Sequence, residues 1–76
     1  VMSLSSLAAS LKQMYESAPD GEQMAMIHLF GIRYAAEIKS SDFTPKDIVT
    51  AAGLKPSLYT ELTKGIKLAS YVSEKS

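Results

Sequence analysis

The chain has 76 residues, among them eight basic and eight acidic side chains, one histidine and no cysteine. This length fits one domain with a single core, and the lack of cysteine excludes disulfides and thiolate metal sites, as is typical of cytoplasmic proteins. The net charge of zero argues against a purely electrostatic nucleic-acid binder, and without an apolar run of about 18 residues or a signal-peptide pattern no membrane association is expected.

A first helix is predicted over residues 4–17. Its apolar residues recur at intervals of three and four, as Leu4, Leu7, Ala8, Leu11 and Met14. Val1 in front of Met2 resembles a cloning remnant, so we expect the native start at Met2. We expect residues 1–3 to be flexible or tag-derived and residues 73–76 to form a frayed tail.

A long central helix is predicted over residues 21–39, opened by Asp20 and Gln23 as a capping box. One apolar stripe of this helix comprises Met24, Ile27, Gly31, Tyr34, Ala35 and Ile38, and the opposite side carries Met26, Leu29 and Ile32. A helix that is apolar on both sides must be covered on both sides. Either the first helix and the C-terminal half cover the two sides, or one side is a self-association surface. Glycine at position 31 destabilises the helix by about 1 kcal/mol relative to alanine, which indicates close approach of another helix. Gly65 either serves the same purpose in the last helix or allows a local bend there.

Residues 44–64 predict a helix-turn-helix, the common device that lays a helix in the major groove of DNA. Thr44 is spaced to cap a short helix over residues 45–52, with Asp47 in its first turn. Gly53 can take the left-handed conformation that ends this helix. Pro56 then holds Lys55 extended, and Ser57 is expected to cap a last helix over residues 57–72.

The outward side of this last helix is the candidate interface with DNA. With Leu58, Leu62, Ile66 and Ala69 facing the core, the exposed side carries hydroxyls and amines that suit phosphates and base edges. The proposed DNA contacts are Lys55, Ser57, Thr60, Lys64 and Lys67. An ordinary solvated face explains the same residues equally well, and the arginine, asparagine and glutamine that usually lead base recognition are missing from it.

Charge is divided unevenly between the two halves of the chain. Residues 1–38 contain two basic and four acidic side chains, whereas residues 39–76 contain six lysines and four acids, which gives −2 and +2. The C-terminal half is therefore the one that a phosphate backbone would attract, although the field is weak.

Other chemistry finds little support in the sequence. His28 is the only histidine, and no second ligand accompanies it at metal-binding spacing, so a structural role is predicted. No nucleophile has a partner set, and the four glycines match no phosphate-binding or dinucleotide-binding loop. We therefore expect no enzyme, metal site, cofactor or small-molecule substrate.

Two segments carry a family resemblance, HLFGIRYAAEI at 28–38 and YTELTKGIKLASYV at 59–72. Together they resemble a small bacterial helix-turn-helix-like domain that occurs alone or joined to nuclease modules of the HNH type. The likeness extends from about Leu7 to Val72. It implies a DNA-associated role in a bacterial or phage setting, but no nuclease, because the histidine and asparagine motif of such enzymes is missing from the sequence.

The sequence thus predicts an all-α, single-domain protein of four helices, with two functions open. The first is a cytoplasmic DNA-binding domain of a regulatory or defence-associated protein, with double-stranded DNA as its partner. The second is a protein-interaction or homodimerisation module that keeps the helix-turn-helix shape without contacting DNA. Its proposed contacts are Met26, Leu29, Leu68 and Tyr71.

Overall fold

The computed structural model describes residues 3–72. Within this range the chain forms four α-helices and no strand: α1 (Leu4–Glu16), α2 (Gln23–Lys39), α3 (Pro45–Ala51) and α4 (Tyr59–Leu68), with a 3₁₀ turn over Pro56–Leu58. The predicted all-α, four-helix architecture is confirmed. The expected cloning remnant and frayed tail, at residues 1, 2 and 73–76, lie outside the described residues.

The first helix begins one residue after Ser3, which is its N-cap. The Ser3 hydroxyl accepts a hydrogen bond from the Ser6 N–H at 3.1 Å, which satisfies one of the unpaired amides of the first turn. The expectation that residues 1–3 are flexible or tag-derived stays a prediction. Leu7, Ala8 and Leu11 are buried, as their spacing predicts.

The start of α2 differs from the prediction. The Glu22 N–H donates to the Pro19 carbonyl, and Gly21 has a φ of +81°, so residues 19–22 form a turn. Asp20 lies inside this turn rather than at the cap. The helix consequently begins at Gln23 without any side-chain cap, and the predicted capping box is wrong.

The buried side of α2 also differs in part from the predicted stripe. Met24 is 37% exposed, so its place in the core was wrong, whereas Phe30 is fully buried and was missed. Met24 lies in the first turn of α2, whereas Phe30 is buried in a core to which α1, α3 and α4 also contribute. Farther along, the helix is distorted at Tyr34 (φ −110°, ψ 17°). The Phe30 and Tyr34 rings lie 4.9 Å apart, tilted by 43°.

Helix α2 packs against both α1 and α4, and its contact with α4 is the most extensive in the described fold. Helix α3 packs between α1 and α4. Coverage of α2 by the first helix and the C-terminal half is thus confirmed. Met26, Leu29 and Ile32 are half-buried, and self-association stays a prediction.

Two glycines form the contact between α2 and α4. A Cβ added to Gly31 would lie 2.8 Å from the Ile66 backbone nitrogen, and one added to Gly65 would lie 2.5 Å from the His28 carbonyl oxygen. Both distances are far below van der Waals contact. The predicted reason for Gly31 is confirmed, and close approach rather than a bend also accounts for Gly65.

The cap and the turn of the helix-turn-helix form as the sequence predicts. Thr44 and Asp47 make a reciprocal box: the Asp47 N–H donates to the Thr44 hydroxyl at 3.1 Å, and the Thr44 N–H donates to the Asp47 carboxylate at 2.9 Å. Gly53 has a φ of +77°, its N–H donates to Thr50, and the Leu54 N–H donates to Val49. This is the two-bond glycine C-cap, which ends α3 sharply.

Both ends of the last helix were predicted wrongly. Ser57 lies inside the 3₁₀ turn, and no side chain caps that turn or α4. The helix stops at Leu68, not at Val72, because the next amides bond three residues back: Ser70 donates to Lys67 and Tyr71 donates to Leu68. No buried apolar contact holds the last residues in the helix, since Tyr71 and Val72 are exposed.

Candidate nucleic-acid interface

The outward side of α4 is fixed by what the helix buries. Leu62 and Gly65 are buried, and Leu58, Ile66 and Ala69 are half-buried around them. All five proposed DNA contacts are exposed, namely Lys55, Ser57, Thr60, Lys64 and Lys67. Three of them, Thr60, Lys64 and Lys67, follow one another at intervals of four and three and therefore share one side of the helix.

The start of α4 offers fewer hydrogen-bond donors than an open helix N-terminus. The Leu58 N–H already donates to Lys55, and the Tyr59 N–H donates to Pro56 and Ser57. Pro56 has no N–H at all. The 3₁₀ turn thus uses the amides that would otherwise hold a phosphate.

The threonine hydroxyls at the start of α4 are also engaged. Thr60 donates to the Ser57 carbonyl at 3.1 Å, and Thr63 donates to the Tyr59 carbonyl at 2.8 Å. Each hydroxyl oxygen keeps its capacity to accept, but donation to a phosphate would require the hydroxyl to rotate. The lysine ammonium groups are consequently the main donors that this surface presents.

Glu61 links the exposed side of α4 to the neighbouring helix. Its Oε1 lies 2.8 Å from His28 Nε2 on α2, and its Oε2 lies 3.3 Å from the Lys64 ammonium group one turn ahead. The carboxylate side chain is 23% exposed, whereas Lys64 is 64% exposed. An acid therefore interrupts the positive strip that Lys55, Lys64 and Lys67 would otherwise form.

These contacts change the acidity of the Glu61 carboxyl. The hydrogen bond from His28, and after it the one from Lys64, lower its pKa below the usual 4.5, against a smaller opposing effect of desolvation. Glu61 is thus held in its charged form. The helix N-terminus on which it lies also favours a negative charge.

The four proposed protein contacts do not share one environment. Leu68 and Tyr71 are exposed, Tyr71 by 84%, while Met26 and Leu29 are half-buried. Because α4 ends at Leu68, Tyr71 lies beyond the helix. The exposed apolar surface near the end of α4 comprises Leu68, Tyr71 and Val72.

Features that would indicate other chemistry are few in the described residues. Between residues 3 and 72, no group of three or more histidine, cysteine or acidic side chains is placed to hold a metal ion. No helix in this range is long and apolar enough to cross a membrane. An open groove of about 640 Å³ lies between α1 and the end of α3, lined mainly by alanine and serine with Lys12.

The link between His28 and Glu61 was missed by the sequence reasoning, although a structural role for His28 was predicted. The two residues are 33 positions apart, so helical periodicity contains no sign of their contact. The only available signal was a polar ring on a helix that must be covered on both sides. Such a residue needs a partner from the covering helix.

Comparison with known proteins identifies one family. Residues 3–75 match the model of a family described as an HTH-like domain. No curated protein and no solved structure matches the chain.

Proposed function

The chain belongs to the HTH-like domain family, and we propose that it binds double-stranded DNA through α4. The observation that carries the proposal is the side of α4 opposite Leu62 and Gly65, which presents Lys64 and Lys67 to solvent on the helix that follows the turn. This is where the second helix of a helix-turn-helix enters the major groove. We assign the chain to a bacterial or phage regulatory or defence-associated protein and give it no catalytic activity.

Phosphate contact is the main source of affinity in this proposal. Lysine is a point charge that pairs with phosphates but discriminates poorly between bases. The net charge of zero and the acid beside Lys64 both weaken long-range attraction. We therefore expect moderate affinity that falls steeply with salt.

A salt series with a fluorescent duplex tests the proposal. Fluorescence anisotropy would be recorded for the wild type and for the double variant Lys64→Ala, Lys67→Ala. The double variant should bind more weakly, and its slope of log affinity against log salt should be shallower by about 0.9 for each amine that contacts a phosphate in the wild type, which is at most about 1.8 for the two.

The matched control is the double variant Lys12→Ala, Lys39→Ala, which removes the same charge from exposed positions on α1 and α2. It should leave the slope near the wild-type value. The assignment fails if the wild type does not bind at low salt, or if both double variants lose affinity equally.

A second candidate function is a protein-interaction or homodimerisation module. It is favoured by the exposed apolar surface of Leu68, Tyr71 and Val72, because large exposed apolar side chains in a cluster commonly mark contacts with other proteins. The half-buried Met26 and Leu29 would contribute only if a partner displaced their present neighbours.

Sedimentation across a concentration series separates this candidate from the first. A homodimer that uses Tyr71 would dissociate on dilution, and Tyr71→Ser would shift the midpoint to higher concentration. The unfolding temperatures of the two proteins should agree at concentrations where both are monomeric. A strictly monomeric wild type would remove the homodimeric form of this proposal.

A further inference from the structure

The contacts of Glu61 differ from those of an ordinary surface ion pair. An exposed i,i+3 pair is mobile, and its acid can swing away when a stronger ligand for the lysine arrives. Here the carboxylate is held from a second helix, because His28 on α2 contacts Oε1 at 2.8 Å while Lys64 contacts Oε2 at 3.3 Å.

The position of His28 is itself fixed. Its carbonyl oxygen and Cα lie against Gly65, at the point where α2 and α4 approach most closely. The backbone that carries the imidazole therefore stays beside α4, and Nε2 lies within hydrogen-bond distance of Glu61 Oε1. A carboxylate held from α2 in this way is restrained beside Lys64 when a ligand approaches from solvent.

We propose that Glu61 is a specificity-determining residue of the DNA interface. It suppresses sequence-independent phosphate binding by retaining the Lys64 ammonium group, and His28 is its positioning residue. This inference rests on the proposed function. A passing phosphate must compete with a fixed carboxylate for the amine and is repelled by it. Only a duplex that offers further favourable contacts compensates for that loss, which is how a repulsive element produces discrimination.

The ionisation state of Glu61 supports this role. The hydrogen bonds from His28 and Lys64 lower the pKa of its carboxyl, so the side chain is negatively charged at neutral pH. The exposed fractions of the two side chains support this role as well. Lys64 is 64% exposed and within reach of a ligand, while Glu61 is 23% exposed and partly shielded from solvent.

The test measures binding to a random-sequence duplex from about 50 to about 200 mM salt. Glu61→Gln removes the charge but keeps an oxygen that can accept from His28. We expect affinity about two- to fivefold above the wild type at the low end of this range. The salt slope should be steeper by about 0.9, so that the ratio of the Glu61→Gln affinity to the wild-type affinity falls by about 3.5-fold across the series. Glu16→Gln, an exposed acid on α1, is the matched control and should reproduce neither change.

Two further variants show whether the effect passes through the named groups. In a Lys64→Ala background, Glu61→Gln should no longer steepen the salt slope. His28→Ala should raise affinity in the wild type but add nothing in the Glu61→Gln background. Circular dichroism on every variant checks that the folded fraction is unchanged. If His28→Ala unfolds, His28→Gln takes its place.

The outcomes separate this inference from the proposed function. If the wild type binds, but Glu61→Gln gives no gain or the gain persists without Lys64, the role of Glu61 is refuted and DNA binding stands. If neither protein binds any duplex at low salt, both proposals are rejected together.

Discussion

Replacing Gly65 with alanine tests the packing of α2 against α4, because helix propensity and packing predict changes in stability of opposite sign. Alanine is better than glycine inside a helix by about 1 kcal/mol, so helix propensity alone predicts stabilisation. The new methyl group, however, would lie 2.5 Å from the His28 carbonyl oxygen and 2.9 Å from its Cα. Both atoms belong to the backbone and cannot move aside without shifting α2.

The magnitude follows from the size of this overlap. Overpacking a core costs about 1–3 kcal/mol, and an overlap with backbone belongs at the upper end, about 3 kcal/mol. Subtracting the gain in propensity leaves a net loss of about 2 kcal/mol. For a domain of this length that lowers Tm by about 8–16 °C.

Thermal and urea unfolding followed by circular dichroism would measure the change. Ala36→Gly, at an exposed position of α2, is the matched control that gives the propensity difference by itself. Gly31→Ala should behave like Gly65→Ala, and the two should not be additive, since both open the same contact. A Tm for Gly65→Ala at or above the wild-type value would refute the packing argument.

Other predictions concern the cap, the core and pH. Thr44→Ala should lower the free energy of unfolding in urea by about 1 kcal/mol, because it removes the acceptor for the Asp47 N–H. Thr50→Ala, at an exposed position, should lower it clearly less. Equal losses would show that the cap does not stabilise the helix. Leu62→Ala, which empties a fully buried site, should cost about 2–5 kcal/mol, and a loss below 1 kcal/mol would mean that the neighbouring helices close the space. The lowered pKa of Glu61 means that its contribution to stability is present above its ordinary pKa of 4.5 and is lost as pH falls through the folded value. The Tm difference between wild type and Glu61→Gln should therefore be larger at pH 7 than at pH 3, and a constant difference would show that the contact with His28 does not depend on charge.

The parts of the fold that local chemistry specifies were predictable from the sequence. Thr44 and Asp47 cap α3 through bonds within four residues, and Gly53 ends it through bonds within six, so residues close in sequence suffice to identify both. The close approach at Gly31 could be predicted because a glycine inside a helix is unfavourable unless its missing side chain is needed.

The errors arise where a turn between helices, or a contact between distant helices, decides the structure. Asp20 has the composition of a cap, but the turn at Gly21 places it too early, and Ser57 loses its expected role because the 3₁₀ turn that contains it bonds the amides of Leu58 and Tyr59. Phe30 was missed because it lies outside the apolar stripe and is buried in a core to which α1, α3 and α4 also contribute. Within the candidate site, exposure of the lysines follows from periodicity, whereas the contact of Glu61 with His28 depends on how α2 and α4 cross.

The glycine contact between α2 and α4 has a mechanical consequence. A shift of α4 along α2 by one residue is blocked, because it would bring a residue with a side chain to a place where a Cβ has no room. The pair behaves as one stiff body with a single orientation of its outer surface. A ligand that binds α4 must therefore adapt its own shape, and a DNA duplex would do so by bending or by a change in groove width.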